Sequence, residues 1–193
     1  MQLDRDFFAR SPLEVAPDLL NKVFVAGPCK GRIVEVEAYG GKNDPASHGH
    51  KGMTPRTQVM FGPPGYLYVY FTYGMHWCVN VVCGQKGECA AVLLRALEPL
   101  SGLQQMRQRR PKARQDKHLC NGPAKLATAF GIDGSANGVD LVANEVASEQ
   151  AIHVLHDGTH PPQNPGRSER IGISAATDLK WRYYICNNPN LSR

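Results

Sequence analysis

Two glutamates on one short segment are the first candidates for chemistry in this sequence. Residues 31–38 read Gly-Arg-Ile-Val-Glu-Val-Glu-Ala, and the period of a strand puts Ile33, Glu35 and Glu37 on one face. Either that face is turned to solvent, or a carboxylate stands at the edge of a cleft. Arg95 lies in another apolar run, where an unpaired charge is costly to bury, so it should meet a carboxylate or a phosphate.

Residues 65–82 form an aromatic-rich segment, called the hairpin below, that predicts two antiparallel strands. Four of the seven tyrosines fall between positions 66 and 73, and residues 66–71 alternate with the period of a strand. Gly74 can take a positive φ, which favours a tight turn at Tyr73-Gly74. A large aromatic side chain at such a tip either packs on another part of the chain or enters another molecule.

A long loop, residues 40–65, separates the glutamates from the hairpin. It is rich in Gly, Pro and polar residues, and a loop of this length inside a compact domain is usually functional. It carries His48 and His50, so one alternative is a small zinc hydrolase, although a single His-x-His pair is weak support and no metal is predicted. Another alternative is a module that binds RNA or single strands on its tyrosine strand, without catalysis.

One basic residue, Lys125, is a candidate for binding an anion. Lys125 lies in the first turn of a predicted helix, 124–130, where the main-chain N–H groups favour a phosphate. Positions 107–117 hold six basic residues and one acid, Asp116, and this run predicts a solvated helix end and loop.

The composition bounds the class of protein. With 193 residues, 42% hydrophobic and 20% charged, the chain predicts a soluble globular protein. The net charge of +5 permits a polyanionic partner without demonstrating one. Six cysteines without a Cys-x-x-Cys pair, and first residues without a secretion signal, predict reduced thiols and a cytoplasmic location. No apolar run reaches the roughly 18 residues of a membrane span.

The pattern of elements predicts an α+β fold without internal repeats or a domain boundary. Besides the hairpin, strands are predicted at 22–26, 31–38, 90–96, 152–155, 170–173 and 182–185. Helices are predicted after Ser11-Pro12, at 101–110 with Ser101 as its cap, and at 124–130.

Five segments, taken in their order along the chain, resemble the motifs of one protein family. They are Arg32-Ile-Val-Glu-Val-Glu-Ala-Tyr39, Leu67-Tyr-Val-Tyr-Phe-Thr-Tyr-Gly-Met75, Val92-Leu-Leu-Arg-Ala-Leu-Glu-Pro99, Cys120-Asn-Gly-Pro-Ala-Lys125 and Arg170-Ile-Gly-Ile173. In this order they resemble the alkyladenine (3-methyladenine) DNA glycosylase family of the animal type, over nearly the whole chain. Because the N-terminal extension of mammalian members is missing, the resemblance suggests a minimal, bacterial-type member.

The resemblance implies a fold and an activity. The fold would be one domain, residues 1–193, around a curved antiparallel sheet with a protruding hairpin. The activity would be that of a monomeric base excision repair enzyme without a cofactor. It would cut the N-glycosidic bond of damaged purines (3-methyladenine, hypoxanthine, ethenoadenine) in double-stranded DNA.

The resemblance also assigns the reaction to particular residues. Glu37 matches the general base that activates water, and Arg95 matches the arginine that helps to hold that water. Glu35 is expected to be structural, because the next position on the same strand face is about 6–7 Å away. Lys125 matches a phosphate contact. No motif places a lysine for a Schiff base with the sugar, so we expect a monofunctional hydrolase without strand cleavage.

The pocket for the flipped base is likewise implied by the resemblance. Tyr39, His48 and Tyr70 match the walls that sandwich the base, and Asn80 matches the residue that crowds the amino group of guanine. Tyr73 matches the tyrosine that enters the minor groove and fills the gap. Tyr66 and Tyr68 are expected to be structural.

Two loops depart from the family pattern. The loop after Tyr39 keeps the spacing to His48 but has its own sequence, so the preference among lesions could differ. The Pro-rich loop 157–166 also looks particular to this chain. It leaves open which backbone carbonyl near Ile171 to Ile173 would complete the water site.

Overall fold

The computed structural model describes residues 1–143 and 151–192. Within these ranges one antiparallel sheet contains eight strands. The strands are β1 Val23–Ala26, β2 Cys29–Gly40, β3 Leu67–Thr72, β4 His76–Cys83, β5 Ala90–Ser101, β6 Ile152–Leu155, β7 Gly166–Ser168 and β8 Arg182–Tyr184. The α-helices of the same ranges are α1 Arg5–Phe8, α2 Pro12–Leu19, α3 Leu103–Arg109 and α4 Pro123–Phe130.

β2 lies at the centre of the sheet and is, with β5, one of the two longest strands in the described ranges. The strand order is β3-β4-β5-β2-β1-β6, and β8 pairs with both β2 and β7. One edge of β2 therefore pairs with β5, whereas its other edge pairs with β1 at the beginning and with β8 near the end. The sheet curls into half a barrel, which confirms the predicted α+β class.

The core lies between the concave sheet and the helices. α2 packs against β2, and α4 packs against β4 and β5. Large side chains such as Leu19, Leu94 and Leu126 are fully buried there. Burying each of them contributes about 1.5–3 kcal/mol, so the sheet that carries the site has a strong apolar backing.

A bulge in β2 decides which side chains face the core. The register between β2 and β5 shifts around Glu35. Ile33 consequently joins Val36 and Ala38 in the apolar core, and the predicted shared face of Ile33 with the two glutamates is wrong. Glu35 and Glu37 are both fully buried, so the alternative in which their face is turned to solvent is also wrong.

The start of α2 follows its sequence signals. Ser11 caps the helix through its hydroxyl, and Glu14 bonds back to the Ser11 N–H in a capping box. Pro17 stands inside the helix without ending it, at the loss of one main-chain hydrogen bond.

The start of α3 differs from the prediction. Ser101 is the last residue of β5, and the cap is Gly102, with a φ of 74°. A Cβ on Gly102 would lie 2.8 Å from the Cα of Cys29, which only glycine avoids. The predicted Ser101 cap is therefore wrong, because strand pairing continues to that residue.

The predicted strand at 170–173 is also wrong. Arg170 buries its guanidinium against Asp44, and the N–H of Ile171 donates to the Glu37 carboxylate instead of to a neighbouring strand. Gly172 has a φ of 76°, which interrupts extended backbone. The strand of this region is β7, and it pairs with β8, whose predicted position is confirmed.

The hairpin forms as predicted. Its tip is a tight turn in which Tyr73 and Gly74 have φ values of 51° and 65°, and the Met75 N–H donates to the Thr72 carbonyl. Positive φ at both central residues makes it a type I′ turn.

Two further features concern the whole chain. No helix in the described ranges has the length and apolar character to cross a membrane. The cysteines are free thiols, and Cys186 alone among the six is exposed.

Candidate active site

A cavity of about 430 Å³ opens where the end of β2 meets the hairpin and the segment 171–175. Its volume suits a ligand of small-molecule size. Six of the eight predicted site residues line it: Tyr39, His48, Tyr70, Tyr73, Asn80 and Arg95. The other two, Glu37 and Lys125, lie outside the lining. The fold thus brings together side chains from the loop after β2, from the hairpin and from β5.

Glu37 lies directly behind this lining. Its carboxylate is fully buried, and Arg95 lies 3.1 Å from Oε1. The Ile171 N–H donates to Oε1 at 2.7 Å, and the Tyr39 hydroxyl donates to Oε2 at 2.9 Å. Within the described ranges these three donors hold the carboxylate, whereas a carboxylate can accept about four hydrogen bonds. By this count about one acceptor position of the carboxylate is unused in the described ranges.

Glu35 has a different environment, as its predicted structural role would require. Its carboxylate accepts from Arg95 Nε at 3.0 Å, from Arg182 Nε at 2.7 Å and from both the N–H and the hydroxyl of Ser192. Burial alone would raise the pKa of Glu35, but the hydrogen bonds from Ser192 and Arg182 hold that pKa below its usual value. Glu35 thereby fixes the Arg95 guanidinium in the orientation that reaches Glu37.

The aromatic walls stand on two elements. Tyr39, the last residue but one of β2, stands on one side. On the other side the Tyr70 ring meets His48 edge-on at 4.5 Å and lies against Tyr68 at 5.4 Å. The His48 Nδ1 pairs with the Tyr68 hydroxyl at 3.0 Å. Tyr68, expected to be structural, is therefore both buried and part of the cavity lining.

The ionisable wall residues favour their neutral forms. The pKa of His48 is lowered, first by the packing around its ring and second by the nearby Arg56 guanidinium. The pKa values of Tyr39 and Tyr70 are raised, mainly because burial disfavours the phenolate. The walls are thus flat, apolar and uncharged near neutral pH.

Asn80 lies on β4 with its side chain 4% exposed. Its amide N–H donates to the Tyr68 carbonyl at 3.1 Å, which fixes the amide in the cavity wall. Beside it the Cys78 thiol is buried in the lining, and that burial raises its pKa.

The tip of the hairpin is an exposed apolar surface. Tyr73 is 80% exposed and Met75 is 67% exposed, and Phe71 below them is 45% exposed. The tip is therefore not packed on the described part of the chain. Tyr73 also borders the cavity, so whatever meets the tip lies beside the pocket.

Lys125 does not line the cavity. It lies half-buried in the first turn of α4, and its ammonium donates to the main-chain and side-chain oxygens of Asn121 at 3.2 and 3.0 Å. Pro123, two residues earlier, lines the cavity. A phosphate contact by Lys125 stays a prediction.

The basic run 107–117 is only partly a solvated surface. Arg109 donates to the Ala129 carbonyl and Arg110 to two carbonyls of the loop that follows, so these two arginines hold main chain in place. Arg107 pairs with Asp116 at the surface.

The sequence reasoning missed the pair Arg170 and Asp44. Both side chains are fully buried, and they contact the walls that Tyr39 and Ile171 form. The sequence carries no signal that Asp44 is buried, because an acid in a polar, Gly-rich loop is ordinarily exposed to solvent. The partner lies 126 residues away, and no local pattern identifies it.

The two histidines of the zinc alternative have separate partners. His50 Nδ1 contacts the Lys42 carbonyl at 2.6 Å, whereas His48 belongs to the aromatic wall. In the described residues, no group of three or more His, Cys, Asp or Glu side chains could hold a metal ion. The tyrosine strand is not an open stacking platform either, because Tyr68 is 1% exposed.

A family profile and the individual relatives of this chain point to the same protein family. The sequence profile of the methylpurine-DNA glycosylase family matches residues 6–189. A protein of Burkholderia lata is 51% identical over 191 residues, covering 98% of this chain and 90% of its own. A protein of Streptomyces avermitilis is 47% identical, covering 98% and 90%, and one of Chlorobaculum tepidum is 43% identical, covering 100% and 91%. All three are provisionally named 3-methyladenine DNA glycosylases.

Proposed function

This chain belongs to the methylpurine-DNA glycosylase family and is a hydrolytic DNA glycosylase. From that premise we propose that it flips damaged purines out of duplex DNA and hydrolyses their N-glycosidic bond with water activated by Glu37. The substrates would be 3-methyladenine, hypoxanthine and ethenoadenine. The relatives are bacterial, so we place the enzyme with the chromosome in the cytoplasm, acting as a monomer without a cofactor.

One observation carries this proposal: a fully buried carboxylate stands behind an aromatic cavity and is held by Tyr39, Ile171 and Arg95, all three of which line that cavity. The three donors to Glu37 hold the carboxylate in place and are themselves anchored. Such preorganised groups lose little energy to rearrangement when charge develops in the transition state.

Base flipping is the first proposed step. Extruding a nucleotide from the duplex costs about a few kcal/mol, and an aromatic plug can return about 1–3 kcal/mol of stacking per base. Tyr73 on its rigid turn is the plug in this proposal, with the exposed Met75 beside it. The flipped base would enter between Tyr39 and the wall formed by Tyr70 and His48.

Bond cleavage is the second proposed step. The bond between C1′ of the sugar and the purine nitrogen breaks, its electron pair leaves with the base, and positive charge grows on the sugar. The Glu37 carboxylate stabilises that charge and takes a proton from the water whose oxygen bonds to C1′. Arg95 orients this water. The products are the free base and an abasic site, without strand cleavage.

Selectivity follows from two filters in this proposal. An alkylated purine such as 3-methyladenine is cationic and leaves readily as a neutral base, whereas hypoxanthine and ethenoadenine must gain a proton on leaving. The uncharged aromatic walls accept flat bases of either kind. The fixed amide of Asn80 excludes guanine, whose exocyclic amino group would meet it.

The non-catalytic alternative predicts an exposed row of tyrosines and no requirement for Glu37. The burial of Tyr68 speaks against it, as does membership of a hydrolase family. We therefore carry forward the catalytic proposal alone.

The test uses duplex oligonucleotides that contain hypoxanthine or ethenoadenine, in buffer with a chelator. We expect the wild-type enzyme to release the base and leave the strand intact until alkali is added. Glu37→Gln should bind the ethenoadenine duplex as tightly as wild type but excise at least about 100-fold more slowly, the usual range for a lost general base. Excision by this variant near the wild-type rate would contradict the mechanism.

A further inference from the structure

The buried ion pair of Arg170 with Asp44 contacts the end of β2, the loop that follows it and the Tyr39 ring, without lining the cavity. We propose that this pair is a positioning device: it sets the placement of Tyr39 and of the two main-chain segments that fix Glu37. The inference rests on the proposed role of Glu37 and adds two residues that act on the reaction only through others.

The pair itself is a two-pronged contact in a dry environment. Arg170 Nη1 donates to Asp44 Oδ2 at 2.6 Å, and Nη2 donates to Oδ1 at 2.8 Å. Both side chains are 0% exposed. A bidentate guanidinium–carboxylate contact fixes orientation as well as distance, which a single hydrogen bond does not.

The guanidinium holds one wall of the cavity. Its central carbon lies 4.7 Å from the centre of the Tyr39 ring and 5.0 Å from the Trp181 ring, so it packs against both aromatic rings. Nη1 also donates to the Ala38 carbonyl at 3.0 Å, directly before Tyr39. The position of the Tyr39 ring, and with it the hydroxyl that donates to Glu37, therefore depends on Arg170.

The carboxylate of the pair holds the loop that follows β2. Asp44 Oδ2 accepts from the Gly40 N–H at 3.0 Å, and Oδ1 accepts from the Ala46 N–H at 3.1 Å. Ala46 lines the cavity, and His48 follows two residues later. One carboxylate thereby fixes the path of the chain from the Tyr39 wall to the His48 wall.

The arginine also stands next to a donor of the catalytic carboxylate. Ile171, the following residue, gives its N–H to Glu37 Oε1 at 2.7 Å. Two of the three donors to Glu37 are thus set by Arg170, one through the main chain and one through the stacked Tyr39 ring.

The energetics favour a role beyond stability. A buried ion pair repays its desolvation poorly, and apolar replacements of both partners are often neutral or stabilising. The Nε of Arg170 is in addition buried without a hydrogen-bond partner in the described part of the chain. An unsatisfied polar group at a buried site is a cost that packing alone would avoid.

The decisive variant removes both charges together. In D44N/R170M no unpaired charge remains, and the Asn amide oxygen can still accept the Ala46 N–H, whereas the Gly40 N–H and the Ala38 carbonyl lose their side-chain partners. We expect a lower thermal midpoint in a protein that still folds at the assay temperature, and a Kd for ethenoadenine duplex within about threefold of wild type. The single-turnover excision rate should fall about 100-fold, because a shift of about 1 Å at a catalytic group has that effect.

Three comparisons complete the experiment. R170K keeps the charge opposite Asp44 but loses the fork and the planar stack, so it should fold and lose about tenfold in rate. R32M removes the partly buried ion pair of Arg32 on β2 with Asp157, which lies outside the cavity lining, and should retain the wild-type rate. Ethenoadenine fluorescence in the bound duplex reports whether the base still enters the pocket.

The outcomes separate the inference from the proposed function. If wild type excises lesions and either D44N/R170M or R170K does so at the wild-type rate, the positioning role is refuted while the proposed function stands. If wild type excises no lesion, the proposed function itself fails. A folded D44N/R170M that binds but hardly cleaves, with R170K intermediate, supports the inference whether or not the thermal midpoint is lowered.

Discussion

At the scale of single residues, the site is a set of hydroxyl, amide and guanidinium donors aimed at one carboxylate. The Tyr39 hydroxyl, the Ile171 N–H and Arg95 reach Glu37 from three directions. Tyr39 is also a cavity wall, so its ring and its hydroxyl have separate tasks in the proposed reaction.

Tyr39→Phe separates those two tasks. The ring remains to stack on the base, while the donor to Glu37 Oε2 is lost. We expect ethenoadenine duplex to bind within about twofold of wild type and the single-turnover excision rate to fall about 10- to 100-fold. Tyr184→Phe, which removes a hydroxyl on β8, is the matched control. Equal rates for wild type and Tyr39→Phe would show that the hydroxyl is dispensable.

Arg56 gives a second prediction at this scale, because its guanidinium lies 5.2 Å from the Tyr70 ring centre. Packing lowers the pKa of His48 most, and the Arg56 charge lowers it further. Arg56→Gln should therefore raise the pKa of His48 while leaving it below the ordinary value of about 6.5. An NMR titration of the His48 ring protons measures this change, and His160 at the surface serves as a reference. An unchanged or lowered pKa of His48 in Arg56→Gln would show that the Arg56 charge does not lower the pKa of His48.

The sequence could predict only some of these residues. Strand alternation predicts the strands that carry Glu37, Tyr39 and Tyr70, whereas only the resemblance to the family predicts that these residues meet at one site. Asp44 and Arg170 could not be paired, because burial of a charge depends on a partner far along the chain. Tyr68, expected to be structural, is buried as such a residue would be and also lines the cavity, which strand alternation does not predict.

At the scale of elements, the hairpin concentrates strain at its most exposed residue. Tyr73 has a φ of 51°, in the left-handed region that a bulky residue adopts at a cost of about 1–2 kcal/mol. Strain of this kind persists at functional sites because function outweighs it. A tyrosine at this position destabilises the turn, but it supplies the aromatic ring that the proposed plug requires.

Tyr73→Gly should therefore affect stability and function in opposite directions. Glycine suits the left-handed conformation, so the free energy of unfolding should stay the same or rise by up to about 1 kcal/mol. Binding to ethenoadenine duplex should weaken about tenfold, from the loss of about 1–3 kcal/mol of stacking, and binding to undamaged duplex should weaken less. Urea unfolding and fluorescence anisotropy measure the two effects. Equal losses of affinity for the ethenoadenine duplex and for the undamaged duplex would contradict a plug role for Tyr73.

The elements that sequence patterns predicted best are those with strong local signals. The hairpin follows from its alternation and its glycine, and α2 follows from its capping box. The segment 170–173 has a strand-like composition, yet a buried arginine and a main-chain contact to Glu37 remove it from the sheet. Ser101 suits a helix cap, yet pairing with Lys30 extends β5 through it. In both cases a long-range contact overrides a local preference.

At the scale of the whole molecule, distant parts of the chain meet on β2. Glu35 at its centre binds Arg95 of β5, Arg182 of β8 and Ser192 near the end of the chain. The carboxylates that tie the fold together are thus neighbours of the proposed catalytic group. If the proposed mechanism holds, stability and activity depend on the same few buried charges.

This arrangement predicts how stability changes with pH. The pKa values of Glu35 and Asp44 are both below their ordinary values in the folded protein, since arginine and N–H donors outweigh burial. In the unfolded chain these carboxyls have pKa values of about 4.3 and 3.9. Above these values the two groups contribute their full stability. As the pH falls below about 4, the unfolded chain binds protons first, and the contribution is lost progressively until the folded pKa values are passed.

The measurement is urea unfolding followed by tryptophan fluorescence at pH 7, 5 and 3. Wild type should show similar free energies of unfolding at pH 7 and 5 and a marked loss at pH 3. Glu35→Gln should be less stable at pH 7 by roughly 3–5 kcal/mol, because Arg182 loses its carboxylate partner and Arg95 keeps only Glu37. The same variant should lose less on going from pH 5 to pH 3, because the proton-binding group is gone. A wild-type protein that is equally stable at pH 3 and pH 7 would show that these carboxylates do not link protonation to folding.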